Sequence, residues 1–121
     1  PTGALMEKED LAKIVEVLKD KDILVIQDED ISKIISYLED MYSIHLEYQS
    51  NLTDGITCIL PNGLIVIGLT NNDPYIALHE CTHAVFALKE IIGWSDNDEE
   101  VFCYTLEWVY KHVTKYINSH D

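Results

Sequence analysis

The sequence predicts an α+β fold, in which a small sheet of three or four strands packs with about four helices. Apolar residues recur at three- and four-residue steps near both ends of the chain, which is typical of helices. Between these segments lie short apolar or alternating runs, which favour strands. The 121 residues are 47% hydrophobic and 25% charged, an ordinary globular composition. We therefore expect one domain, helical over 1–42, with the sheet and two further helices over 43–121.

The N-terminal part is expected to contain two helices. The first spans 7–19, where charged residues separate the apolar positions. The run Ile-Leu-Val-Ile at 23–26 is a strand or a buried linker. Asp28 or Asp30 then caps a second helix that continues to about Met41. We find no residues here that would carry chemistry, and the charges are those of solvated faces.

The middle of the chain is predicted to form the sheet. Residues 43–49 alternate between apolar and polar, which indicates a half-buried strand with His45 on its exposed face rather than at a metal site. Two further strands, 56–60 and 64–69, flank the Pro-Asn-Gly sequence at 61–63, a strong hairpin signal.

A long helix follows the hairpin. Asp73 is a good N-cap, and Pro74 suits the first helical position. No residue from Tyr75 to Ile92 breaks a helix, and Gly93 suits the position after its C-terminus. The sequence therefore predicts a helix of about five turns.

This helix contains the motif His-Glu-x-x-His at residues 79–83. Histidines four positions apart lie on one helix face, so His79 and His83 could bind one metal ion. Glu80 lies about 100° further round the helix, too far to complete the ligand set easily. It can instead reach the open side of the metal and take a proton from water. Cys81 points away from the histidine face and is expected to pack in the core.

The final segment predicts one more helix, from about residue 98 to 116, capped by Ser95 or Asp96. Its first turn is acidic, which favours the helix dipole. A short connection makes neighbouring helices antiparallel, so this acidic turn should face the end of the motif helix. His112 and His120, near the C-terminus, are expected to be dipole partners or solvated.

A catalytic zinc ion usually has three protein ligands, so the motif requires one more. Glu100 is our first choice, because it lies one turn into the final helix, where regular backbone holds its side chain. Glu99 is the alternative, on a different face. Asp96 and Asp98 lie closer to the loop and are expected to cap the helix.

The formal net charge is −14, which disfavours nucleic acid, anionic membranes and acidic substrates as partners. A strongly acidic small protein can also mimic DNA, but we favour an ordinary soluble surface. No apolar run is long enough to span a membrane, and no signal peptide is expected. Three cysteines, an odd number without framework spacing, favour a reducing compartment, and we expect the cytoplasm.

The motif with His79, Glu80 and His83, followed by Glu100 on the next helix, resembles the gluzincin branch of zinc metallopeptidases. It is most similar to short, single-domain zincin-like proteins, many of them encoded by phages. The resemblance covers about residues 64–113. It implies a minimal zincin-like domain with a Zn²⁺ ion held by His79, His83 and Glu100, and with Glu80 as the general base.

Two departures from that pattern matter. Thermolysin-like enzymes commonly have Asp four residues after the glutamate ligand, whereas this chain has Tyr104, which either donates to the reacting oxygen or packs. The chain is also too short for the domain that usually forms the other wall of the cleft. A peptide or protein substrate would then pair with a sheet edge, for which we expect the strand at 64–69, or a protein partner would complete the cleft.

The sequence therefore predicts a zinc-dependent metallopeptidase. The alternative is a non-catalytic acidic binding or inhibitor protein, phage-encoded or not, that retains a zincin scaffold.

Overall fold

Three strands and three helices make up the part of the chain that the computed structural model describes, which is residues 23–46, 54–95 and 99–119. The predicted α+β fold class is confirmed. The helix predicted over 7–19 lies outside the described residues. The elements in chain order are β1 (Ile23–Gln27), α1 (Ile31–Tyr42), β2 (Gly55–Ile59), β3 (Ile65–Leu69), α2 (Pro74–Ile92) and α3 (Glu99–Ser119).

The strand order is β1-β3-β2, so β3 lies in the centre of the sheet. It pairs in parallel with β1, where Val25 is opposite Ile67, and antiparallel with β2, where Thr57 is opposite Ile67. Every residue of β3 is buried. The sequence predicts that the strand at 64–69 pairs with an extended substrate peptide. This prediction is wrong, because β3 is already paired with another strand on both of its edges. The edge strand of the described sheet that contacts the motif helix is β2.

Helices cover both faces of the sheet. On one face, α1 buries Ile34 and Leu38 in a cluster that includes Val66 of β3. On the other face, α2 and α3 pack over Ile65 and Ile67. Side chains alternate across a strand, so β3 contributes to both cores. The larger core is the one beneath α2, and it therefore holds the motif helix against the sheet.

The strand predicted over 43–49 is wrong in its described part, residues 43–46. Ser43 adopts a left-handed conformation (φ 53°) and ends α1. The Leu46 backbone N–H then donates to Glu39 Oε2 at 2.9 Å, so a side chain takes the place of a strand partner. His45 is exposed, and its Nδ1 lies 3.2 Å from the same carboxylate. Residues 47–49 lie outside the described part.

The predicted ends of the motif helix are confirmed. Asp73 caps α2 by accepting a hydrogen bond from the Tyr75 N–H at 2.8 Å, and Pro74 is the first helical residue. At the other end, Gly93 has φ 82°, and its N–H donates to the Lys89 carbonyl at 2.7 Å. A side chain at residue 93 would be strained at this φ, which is why glycine suits the position.

Helix α3 folds back along α2, as the short connection predicts. The rings of Phe86 and Phe102 contact edge to face, with centroids 5.2 Å apart. This contact places the beginning of α3 beside the C-terminal half of α2. Val85 and Val101 are fully buried in the shared core. None of the helices in the described ranges is long and apolar enough to cross a membrane.

Candidate metal centre

His79 and His83 lie on successive turns of α2, and both are exposed. Their Nε2 atoms are 3.2 Å apart, and the ring planes are inclined by 77°. Two Zn–N bonds of about 2.0–2.1 Å that meet at a tetrahedral angle place their nitrogens about 3.3 Å apart. The distance between the two Nε2 atoms therefore suits two ligands of a single zinc ion.

Glu80 is a buried carboxylate, only 5% exposed, and it is held by β2. Thr57 Oγ1 lies 2.8 Å from Glu80 Oε1 and 2.9 Å from the main-chain oxygen of the same residue, so one hydroxyl donor serves both acceptors. The other carboxylate oxygen, Oε2, lies 3.9 Å from His79 Nε2. One oxygen is thus occupied by the strand, and the other faces the histidine pair.

Gly55, also on β2, makes room for this carboxylate. A Cβ atom at residue 55 would lie 2.8 Å from Cγ of Glu80 and 3.1 Å from its Oε2. Sequence reasoning missed both Gly55 and Thr57. The alternation of side chains along β2 indicates that Gly55 and Thr57 share a face of the strand. Only the packing of β2 against α2 in the structure shows that this face lies beside Glu80.

A cleft of about 420 Å³ lies between β2 and α2 and includes the motif. His79, Glu80 and His83 supply its polar wall, and apolar side chains supply much of the rest. An open space beside the histidines is what a substrate requires. The lining residues are Gly55, Ile56, Thr57, Cys58, Ile59, His79, Glu80, His83 and Ala87.

The edge of β2 that turns away from β3 is formed by the backbone groups of alternate residues. Hydrogen bonds join the Thr70 N–H to the Asp54 carbonyl at 3.0 Å and the Leu60 N–H to the Leu64 carbonyl at 2.9 Å. Antiparallel pairs alternate, so even-numbered residues of β2 bond to β3 and odd-numbered ones point away. The N–H and C=O groups of Thr57 and Ile59 therefore point outward, and in the described residues no strand pairs with this edge.

The structure assembles three of the predicted site residues, His79, Glu80 and His83. Within 23–46, 54–95 and 99–119, no group of three or more His, Cys, Asp or Glu side chains is placed to hold a metal ion. Glu100 and Tyr104 do not line the cleft. Their roles as third ligand and as hydrogen-bond donor stay predictions, and so do the caps predicted at 96 and 98, which lie outside the described residues.

The contact between Phe86 and Phe102 indicates how the first turn of α3 is oriented relative to α2. The ring of Phe102 contacts Phe86 of α2, and Glu100, two positions earlier, lies about 160° from Phe102 around the helix axis. Glu100 is half-buried, whereas Glu99 is exposed. In the described residues neither glutamate is grouped with the two histidines as a ligand set. Ligation by either one would therefore require its side chain or the first turn of α3 to move.

Cys81 and His112 do not line the cleft beside the histidine pair. Cys81 is fully buried, and burial together with the charge of Glu80 raises the pKa of its thiol to about 12, so it stays protonated and packs, as predicted. Burial also raises the pKa of Cys58, which lines the cleft. His112 stacks on Trp108, with ring centroids 4.5 Å apart. Tyr104 is half exposed, and His120 lies outside the described residues.

No family model, curated protein or solved structure matches this chain significantly. The resemblance to gluzincins therefore stays a prediction from the motif. The interpretation of the site depends on the geometry of His79, His83 and Glu80 and on the cleft beside them.

Proposed function

We propose that this protein is a zinc-dependent metallopeptidase, with His79 and His83 as metal ligands and Glu80 as the general base. One observation carries the proposal: the two Nε2 atoms, 3.2 Å apart, lie beside a buried carboxylate and an open cleft. Burying a carboxylate is costly, and two histidines with a purely structural role would not require one beside them. The buried Glu80 therefore favours a functional site.

A zinc ion bound there would act as a Lewis acid, which polarises a carbonyl and makes water acidic enough to attack near neutral pH. Glu80 would then transfer the proton of the attacking water. Glu80 Oε2 accepts it as the water oxygen bonds to the scissile carbonyl carbon, and returns it to the amine as the C–N bond breaks. The fixed position of the carboxylate beside His79 supports this role.

Substrate binding is proposed on the outer edge of β2. An extended peptide would accept and donate hydrogen bonds at Thr57 and Ile59, which holds it along the cleft and past the histidines. The apolar side chains of Ile59 and Ala87 would contact the peptide on the His83 side. The net charge of −14 makes an acidic peptide the poorest substrate.

A second candidate, a non-catalytic acidic binding or inhibitor protein, is favoured by one observation. In the described part of the chain no third ligand joins the two histidines. No side chain of the described residues fills the cleft beside them, which argues for the enzyme.

All three cysteines are free, which suits a reducing compartment, and we propose that the protein is cytoplasmic.

The test combines metal analysis with a search for activity. Purified protein is incubated with zinc, dialysed and analysed for bound metal, and the same sample is screened against a broad peptide library. The double variant H79A/H83A serves as the control. Zinc at one equivalent with cleavage that the double variant lacks supports the peptidase. Bound zinc without cleavage supports the binding protein, and the absence of bound zinc contradicts the peptidase.

A further inference from the structure

Thr57 is the residue of β2 that contacts the carboxylate of the proposed base, and we propose that it is a positioning residue for Glu80. This inference rests on the proposed function. The hydroxyl of Thr57 lies 2.8 Å from Oε1 of Glu80, and it does not contact the other carboxylate oxygen, Oε2. The acceptor Oε1 is therefore occupied, and Oε2 is the oxygen that takes the proton.

The second support is steric. A side chain at residue 55 would come within 3.1 Å of Oε2, and Gly55 supplies none. The carboxylate thus lies between the Thr57 hydroxyl on one side and the bare backbone of residue 55 on the other. Glu80 is 5% exposed, so water has little access to replace the hydroxyl if it is removed. Two residues of one strand therefore select one orientation of the base.

The third support is the location of Thr57 on the proposed substrate edge. Its side chain holds Glu80, whereas its backbone N–H and C=O point outward from the sheet, where a peptide would pair. One residue would then fix both the scissile bond and the base.

The first test needs no activity and uses the metal-free protein. Melting temperatures are compared for T57V, E80A and the double variant T57V/E80A. Valine keeps the shape of threonine and removes the hydroxyl. In the wild-type background T57V removes the hydrogen bonds to both the carboxylate and the main-chain oxygen of Glu80, whereas in the E80A background it removes only the bond to the main-chain oxygen. We therefore expect T57V to lower the melting temperature by about 5 °C less in the E80A background than in the wild-type background. Additive effects would overturn the proposal.

The second test measures turnover against the best peptide found. We expect T57V to lower kcat by at least about tenfold with KM within about twofold, and T57S to restore most of kcat. T114V is the matched control, because Thr114 also donates to a carbonyl, that of Tyr110 at 2.9 Å, but on α3. A rise in KM alone, or no rescue by serine, would overturn the positioning role.

The two failures are distinguishable. If wild-type protein binds no zinc or cleaves no peptide, the proposed function fails, and the melting-temperature cycle still decides whether the hydroxyl of Thr57 holds the carboxylate of Glu80. If the cycle is additive while the enzyme is active, the peptidase stands and the positioning role of Thr57 is rejected.

Discussion

The Nε2 atoms of His79 and His83 face each other at 3.2 Å on the exposed side of α2. At this distance one ring nitrogen can donate a hydrogen bond to the other, depending on the tautomers of the two rings. The same spacing suits two nitrogen ligands of one metal ion. Because both rings project from one face of α2, the helix backbone brings the two nitrogens close together before a metal ion binds.

The His83→Ala variant tests the metal centre directly. It removes one of the two imidazoles that the structure brings together, and we expect less than a tenth of the wild-type zinc content after dialysis. His112→Ala is the control, because His112 is exposed and its ring contacts Trp108. Bound zinc is measured by elemental analysis. Full zinc occupancy in His83→Ala would reject the assignment of the ligands.

The Glu80→Gln variant separates the base from the ligands. Glutamine keeps the size of the side chain and can still accept from Thr57, so the fold and the zinc content should be retained. Loss of a general base typically lowers turnover by about 10²–10⁴-fold. Glu90→Gln, an exposed change on the same helix, should alter neither zinc content nor turnover. Cleavage at the wild-type rate by Glu80→Gln would show that the mechanism is wrong, even if zinc is bound.

The Gly55→Ala variant tests the packing of β2 against the carboxylate. The added Cβ would lie 2.8 Å from Cγ of Glu80, which Thr57 prevents from moving freely. We expect a loss of about 1–3 kcal/mol in the free energy of unfolding, the usual cost of overpacking. The measurement is denaturant unfolding of the metal-free protein. In the Glu80→Ala background the clashing atoms are absent, so Gly55→Ala should there cost less, and an equal cost in both backgrounds would contradict this geometry.

The parts of the fold that depend on local chemistry could be predicted from the sequence. Asp73, Pro74 and Gly93 determine the ends of α2 by their own side chains and backbone preferences, and the spacing of the motif then determines which residues share a face. The alternation at 43–46 gave a wrong strand, because the left-handed Ser43 and the Glu39 carboxylate satisfy the backbone locally.

Relationships between distant segments could not be predicted in the same way. The central position of β3 depends on which strands pair, and a single sequence carries little information on that choice. Thr57 and Gly55 lie 23 and 25 positions before Glu80, so their contacts with it required the three-dimensional structure. The same limit applies to the third ligand, because the rotation of α3 about its axis decides which side chain faces the histidines.

The last prediction concerns that third ligand, for which the sequence predicts Glu100. Aspartate is shorter by one methylene group, so Glu100→Asp should weaken zinc binding, whereas Glu99→Asp, an exposed change, should not. Zinc affinity is measured by competition with a chelator of known affinity. In the described residues Glu100 forms no ligand group with the histidines, so we expect the first turn of α3 to rotate on ligation, which would change the contact between Phe86 and Phe102.

This movement gives the assignment a readout that does not depend on affinity. The ring resonances of Phe86 and Phe102, followed by NMR, should shift on adding zinc to wild-type protein and should shift less in Glu100→Asp. Equal affinities in wild type and Glu100→Asp, with phenylalanine resonances unchanged by zinc, would reject Glu100. The ligand would then have to come from outside α3, because the helix that presents Glu99 and Glu100 would not have moved towards the histidines.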